Sequence, residues 1–296
     1  MSVVLVHGGV ETSCQPPYLA ALRKAALKGY QYLDISLIDA VEKAVMVLED
    51  DPKFNAGYGS VLNLDGEVEM DASVMDGTTG SCGAVACMKN VKNPICVARR
   101  IMENTPHVIL AGEGAQRFAR EERFAPFDPV TSTQRGAWKK LLKMRSREEQ
   151  LPFSPFTGLP KACDTVGCVV AQDGRTAAGS STGGALLKLP GRVGDTPVIG
   201  GGIYASPHGA VVCTGLGEVF IKLHLAGWTL NIVSRGAPVE EAARAAIERV
   251  TELKAPGGIL VVDKEGNAAA AYNADQFPVA LVVDGKAVKD FKPVKV

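Results

Sequence analysis

The chain has 296 residues, 46% of them hydrophobic and 22% charged, enough apolar material for one large core. Its 32 basic residues balance 32 acidic ones, so no excess charge recommends nucleic acid or an anionic membrane as a partner. No apolar run approaches the ~18 residues that span a bilayer, and the start lacks the basic residues and cleavage site of a signal peptide, so a cytoplasmic protein is expected.

The opening run Val3-Val4-Leu5-Val6 reads as a buried strand ending at His7-Gly8-Gly9. Pro16-Pro17 opens a helix to about Lys28 with Gly29 as its stop. Apolar residues at 37, 38, 41, 44, 45 and 48 give a second helical face over Leu37 to Glu49. The turn-rich stretch from Asp51 to Ser60 is either a structural turn or a site-building loop. A hairpin turn at Asn63 to Gly66 leads to strands near 67–75 and 81–88, then helices near 93–104 and 111–123. A further helix is expected over 134–147. The proline-punctuated segment 148–163 reads as an exposed linker.

Strands resume at 165–172 and 175–181 around an Asp173-Gly174 turn. Another strand at 209–213 precedes a helix to about Arg235, and a second helix covers 238–251 with Glu240 and Glu241 at its positive end. Strands at 258–263, 267–273 and 279–284 complete the chain. The seven cysteines form no CxxC pair and lie mostly in apolar runs, as free thiols do. Four scattered histidines without HxxxH spacing give no zinc signature.

Thr165 stands where the linker ends and a β-branched run begins. Read locally, it is either the first residue of a core strand or a nucleophile. A threonine hydroxyl needs an adjacent base, and an N-terminal threonine supplies one in its own α-amine, with a pKa of about 7.7–8.0. Three later segments, 181–184, 191–195 and 214–218, concentrate glycines, hydroxyls and charges at strand ends. Each alone is compatible with a plain turn. Arg192 and Asp195 are either a surface ion pair or one positive and one negative group for an amino acid's carboxylate and ammonium. No GxSxG turn, P-loop or complete GxGxxG is present.

Taken together these motifs resemble the plant-type L-asparaginase/isoaspartyl aminopeptidase family of N-terminal-nucleophile (Ntn) hydrolases. The likeness runs through Val6-His7-Gly8-Gly9, Leu48 to Gly57, Met70 to Gly77, Asp164-Thr165-Val166-Gly167, Ser181-Thr182-Gly183-Gly184, Gly191 to Pro197 and Cys213 to Phe220. It departs at Val10-Glu11-Thr12, where the family continues with small residues, and before Leu37, where Gly-Gly-Ser is absent.

The resemblance implies an α+β fold, a four-layer αββα sandwich formed by residues 1–296 as a single domain. It implies self-cleavage between Asp164 and Thr165 into subunits 1–164 and 165–296, assembled as a dimer of αβ heterodimers. Thr165 would be the nucleophile acting on L-asparagine or β-aspartyl dipeptides, and Thr182 its orienting partner. Arg192 would take the substrate carboxylate, and Asp195 with Gly217 its ammonium. Thr214 and Gly215 would contact substrate and oxyanion, with Asn55 a second oxyanion-side donor. No cofactor is implied beyond a structural Na+ on the main-chain carbonyls of Leu48, Glu49, Asp51, Phe54, Ala56 and Tyr58. Two rival readings are a glycosylasparaginase and a poorly processed homologue that binds amino acids.

Overall fold

The computed structural model describes residues 1–145 and 164–296. The first part holds β1 (Ser2–His7), α1 (Pro16–Tyr30), α2 (Leu37–Glu49), β2 (Met70–Asp76), β3 (Cys82–Met88), α3 (Pro94–Asn104), β4 (Ile109–Ala111), α4 (Gly112–Glu121) and α5 (Ser132–Arg145). The second opens with β5 (Val166–Gln172), β6 (Arg175–Thr182), β7 (Ile203–Ser206) and β8 (Gly209–Gly215). It continues with α6 (Gly217–Leu223), α7 (Leu225–Ser234), α8 (Val239–Glu252), β9 (Gly257–Asp263), β10 (Ala268–Tyr272), β11 (Val279–Val283), β12 (Lys286–Val288) and β13 (Val294–Lys295). The expected linker 148–163 lies outside the described residues.

The fold is mixed α and β with two sheets, ordered β12-β11-β1-β5-β6-β2-β3-β4 and β13-β10-β9-β8-β7. Strands from either side of the Asp164–Thr165 bond interleave in the larger sheet, β5 and β6 lying between β1 and β2. Side chains alternate across it as a strand's period of two requires. Val4, Val6, Val166, Cys168 and Val170 enter one core with α1, α2 and α3. Their neighbours Val3, Leu5, Val169 and Ala171 enter a second core against Val212, Leu260 and Val262 of the smaller sheet. Val211, Cys213, Ile259 and Val261 face a third, closed by α7 and α8.

α2 shows why these residues make this element. Ser36 caps it by accepting the Asp39 amide at 2.9 Å. Its apolar stripe is buried along its length, each large side chain contributing about 1.5–3 kcal/mol. The stripe lies so close to β6 that a Cβ on Gly179 would stand 2.3 Å from Val41 Cγ1, and any larger residue there would lift the helix.

The structure corrects some expectations. Gly29 does not stop α1, which runs to Tyr30; a Cβ there would lie 2.9 Å from the Ala40 carbonyl, so the glycine serves the approach of α2. The expected helix to Arg235 is two helices, broken at His224, which is left-handed at φ 50° and packs on Gly200. β4, β7, β12 and β13 escaped the pattern because they are short. Among the described residues Cys14, Cys82, Cys87, Cys96, Cys168 and Cys213 are free thiols, and no helix is long and apolar enough to cross a membrane. Cys163 lies outside them.

Candidate active site

The register of β5 places Gly167 opposite His7 on one side and Val166 opposite Ser181 on the other. Thr165 therefore stands between the end of β1 and the end of β6. It is buried, and its backbone nitrogen donates to Thr214 Oγ1 at 3.4 Å. The same oxygen accepts the Val10 amide at 3.4 Å, so one hydroxyl at the end of β8 touches both the glycine turn and the start of β5. Thr182 closes β6 and accepts the Gly184 amide at 3.0 Å.

The glycine turn lies on the Asp164–Thr165 bond. Gly9 has φ +98°, and a Cβ there would stand 2.7 Å from Asp164 Cα and 3.0 Å from its carbonyl carbon. Only glycine permits both the conformation and the approach. His7 is fully buried; its Nδ1 accepts the Gly9 amide at 3.2 Å, which puts the neutral ring's hydrogen on Nε2, beside Gly167. Burial drives the His7 pKa down to about 3, against a raising contact with the Thr165 backbone.

The residues that depart from the family pattern also meet this bond. Thr12 Oγ1 donates to the Gly8 carbonyl at 2.8 Å and its side chain reaches the Asp164 carboxyl. Burial raises the Asp164 pKa to about 7; the Thr12 contact lowers it and the Glu11 charge raises it.

Two charged residues face the threonines. Arg192 grips Glu218 at two points, Nε to Oε1 and Nη2 to Oε2, each 2.9 Å. The Asp195 carboxylate is buried between Gly202 and Gly217, where a Cβ on either glycine would lie 2.6 Å from a carboxylate oxygen. Its Oδ2 has no hydrogen-bond partner among the described residues. Burial pushes the Asp195 pKa up to about 7, with the nearby Arg192 charge pulling the other way.

One cavity is lined by Thr165, Thr182, Gly184, Arg192, Gly194, Asp195 and Gly215. It unites five of the residues singled out from the sequence, while Thr214 joins through the Thr165 nitrogen and Gly217 backs Asp195. Asn55 stands beside the turn that follows Thr182. Its side-chain amide donates to the Gly184 carbonyl at 2.7 Å, its Oδ1 accepts the Val61 amide at 2.9 Å, and its carbonyl accepts the Gly183 amide at 2.8 Å. It braces the turn after Thr182, and its NH2 carries a second N–H beyond the one given to Gly184.

The loop after α2 offers hard oxygen donors suited to a cation such as sodium. Glu49 O accepts the Tyr58 amide at 2.7 Å, Leu48 O the Asp51 amide at 3.2 Å and Asp51 O the Phe54 amide at 3.1 Å, each carbonyl keeping a second lone pair. The chain curls back so tightly that Cβ atoms on Gly57 and Gly59 would lie 2.6 Å from Glu49 O and 2.8 Å from Phe54 O. The donor set therefore fits such an ion. The Glu49 side chain turns away to the start of α3, accepting Asn93 Nδ2 at 3.0 Å and the Ile95 amide at 3.1 Å; burial raises its pKa to about 8, outweighing these contacts.

Residue-level reasoning missed Glu218 as the partner of Arg192. Its only sequence signal is an acidic residue in the first turn of the helix that follows a glycine-rich strand end.

Comparison with known proteins shows the family. The model of the asparaginase family matches residues 1–291. The chain belongs to the asparaginase family. It is 45% identical over 298 residues to the plant-type L-asparaginase of Thermococcus kodakarensis, covering 96% of this chain and 97% of that one. It is 43% identical over 293 residues to the isoaspartyl peptidase/L-asparaginase of Mus musculus, covering 96% of this chain and 89% of the relative.

Proposed function

We propose that this chain hydrolyses L-asparagine to L-aspartate and ammonia and cleaves β-aspartyl dipeptides, after cutting its own Asp164–Thr165 bond. The observation that carries the reading is one cavity lined by Thr165 together with Arg192 and Asp195, whose Oδ2 has no hydrogen-bond partner among the described residues. A buried carboxylate oxygen without a partner is a costly feature, and a ligand ammonium satisfies it.

In the continuous chain, the Thr165 hydroxyl attacks the Asp164 carbonyl and moves the acyl group from nitrogen to oxygen. That shift frees the α-amine beside Thr214 Oγ1, and water then hydrolyses the ester, releasing the Asp164 carboxylate and restoring the Thr165 hydroxyl. In the cut enzyme, Thr165 Oγ gives its proton to this amine and attacks the side-chain carbonyl of asparagine. The amine then protonates the departing ammonia, leaving an aspartyl ester on Thr165 that a water hydrolyses. Arg192 holds the substrate carboxylate and Asp195, backed by Gly217, its ammonium. Thr182 orients the nucleophile, and Thr214 with Gly215 faces the developing oxyanion.

The three cores support a four-layer αββα sandwich in which residues 1–164 and 165–296 stay together after cleavage, since their strands share one sheet. A dimer of such αβ pairs in the cytoplasm completes the reading. The loop carbonyls of Leu48, Glu49, Asp51, Phe54, Ala56 and Tyr58 would hold Na+ as a structural ion.

Mass spectrometry and N-terminal sequencing of purified protein test this, followed by assay against asparagine, β-Asp-Leu and a glycosylated asparagine. Two fragments, the second beginning Thr-Val-Gly-Cys, with release of ammonia from asparagine, are expected. A single uncut and inactive chain would overturn the reading. Turnover confined to the glycosylated substrate would make the protein a glycosylasparaginase.

A further inference from the structure

Behind the cavity lies a buried charged cluster that the reaction just described does not use. Lys188 is 4% exposed, and its Nζ donates to the Glu69 carbonyl at 2.6 Å. Its side chain runs beneath the turn that follows Thr182: a Cβ on Gly184 would lie 2.7 Å from Nζ and 3.0 Å from Cδ. Gly184 is itself at φ +75°, lines the cavity and receives the Asn55 amide on its carbonyl. The ammonium is thus one residue layer from the nucleophile's partner.

On its other side the cluster reaches the segment that carries the charge clamp. Glu69 Oε2 accepts the Gly191 amide at 2.9 Å, and Asp71 Oδ2 accepts the Gly194 amide at 3.3 Å. Asp71 points there because the pairing of β2 with β3 slips between Met70 and Ala72, and Cys87 takes up the slip at φ 51°. The Cys87 amide donates to Asp71 Oδ1 at 2.9 Å, which fixes the carboxylate in that bulge. Asp71 is fully buried and Glu69 nearly so. Glu69 Oε1 lies 3.6 Å from Lys89 Nζ, and both Asp71 and Glu69 also attract the buried Lys188 while Arg192 repels it.

We propose that Lys188 is a positioning residue for substrate binding, its ammonium holding the 191–194 segment in register with the Thr182–Gly184 turn so that Arg192 and Asp195 face Thr165 at the right spacing. The proposal rests on the asparaginase reading of the same cavity. It separates two functions that share the nucleophile, because self-cleavage needs Thr165 and the bond before it but no clamp.

The test is Lys188→Met, which keeps the length of the side chain and removes the charge. Because that variant removes a positive charge that both carboxylates attract, Lys188→Met/Asp71→Asn is made beside it so that one buried negative charge is removed together with it. Both are scored for self-cleavage by gel and for KM and kcat on L-asparagine. The expected result is cleavage as complete as in the parent, KM raised about tenfold or more and kcat within about threefold. A KM unchanged in a folded variant overturns the proposal, and so does a loss confined to kcat or shared equally with self-cleavage. Failure of the functional reading is distinguishable, since the parent would then be uncut or inactive.

Discussion

Arg192 and Glu218 meet in a bidentate ion pair, with both nitrogen–oxygen distances at 2.9 Å. Burial pulls the Glu218 pKa up, but the Arg192 contacts outweigh it and hold the carboxyl below its usual range. The planar fork of arginine suits such a grip and aims the remaining donors. In Glu218→Gln one charge-assisted contact is lost, worth about 1.5–3 kcal/mol where fully formed, and partial exposure of both side chains reduces that figure. KM for asparagine is expected to rise several-fold with little change in kcat. Arg192→Ala should raise it far more, and steady-state kinetics on the two variants checks the order.

Thr165→Ala removes the hydroxyl that both steps require. It should remain full length and inactive, while Thr165→Ser, which keeps an oxygen nucleophile, should cut itself. Intact-mass measurement reads both outcomes, and a cleaved alanine variant would remove Thr165 from the mechanism.

Asp195 links binding to pH. With a pKa raised to about 7, the free enzyme loses the carboxylate charge as pH falls through neutrality, so KM for asparagine should climb between about pH 8 and 6. Asp195→Asn should show a high KM without that dependence. Stability has the opposite sign. The folded state binds its proton more tightly than the unfolded chain, so the charged carboxylate penalises folding as pH rises through the window from the ordinary aspartate value to about 7. Asp195→Asn is therefore expected to be more stable than the parent at pH 8, by roughly 2–4 kcal/mol, and no more stable at pH 4. Urea denaturation at the two pH values measures this.

His7 acts in the other direction. Its folded pKa of about 3 lies below the ordinary value of 6.5, so the unfolded chain takes up a proton that the folded chain refuses. Stability is complete above about pH 6.5 and drains away as pH falls toward 3, by on the order of 5 kcal/mol. His7→Gln should flatten that part of the pH–stability curve, which a difference between the two proteins' denaturation midpoints would reveal.

Gly9→Ala combines a left-handed backbone with a contact of 2.7 Å to Asp164 Cα. The strain is of the order of 1–3 kcal/mol and falls on the residue whose bond must be cut. Slower self-cleavage is expected, followed as the disappearance of the full-length band with time.

Much of this molecule was determined by the sequence alone. The apolar runs through Val3 to Val6 and Val166 to Val170, and the helical stripe from Leu37 to Leu48, are local patterns, and each is buried in its expected place. Thr165, Thr182, Arg192 and Asp195 were legible because they stand in motifs whose order along the chain is distinctive. Only the tertiary structure decided what those side chains touch. Asn55 braces a turn, Arg192 grips a glutamate 26 positions away, and Lys188 lies beneath Gly184 with its ammonium on the carbonyl of Glu69, 119 positions earlier and just before β2. Such partners come from sheet register and from a bulge at Asp71, and they depend on contacts between distant segments that no local pattern encodes. The same holds for the cost of the site: Asp195 is an ordinary aspartate in the sequence, and its buried, unpartnered oxygen exists only because Gly202 and Gly217 close around it.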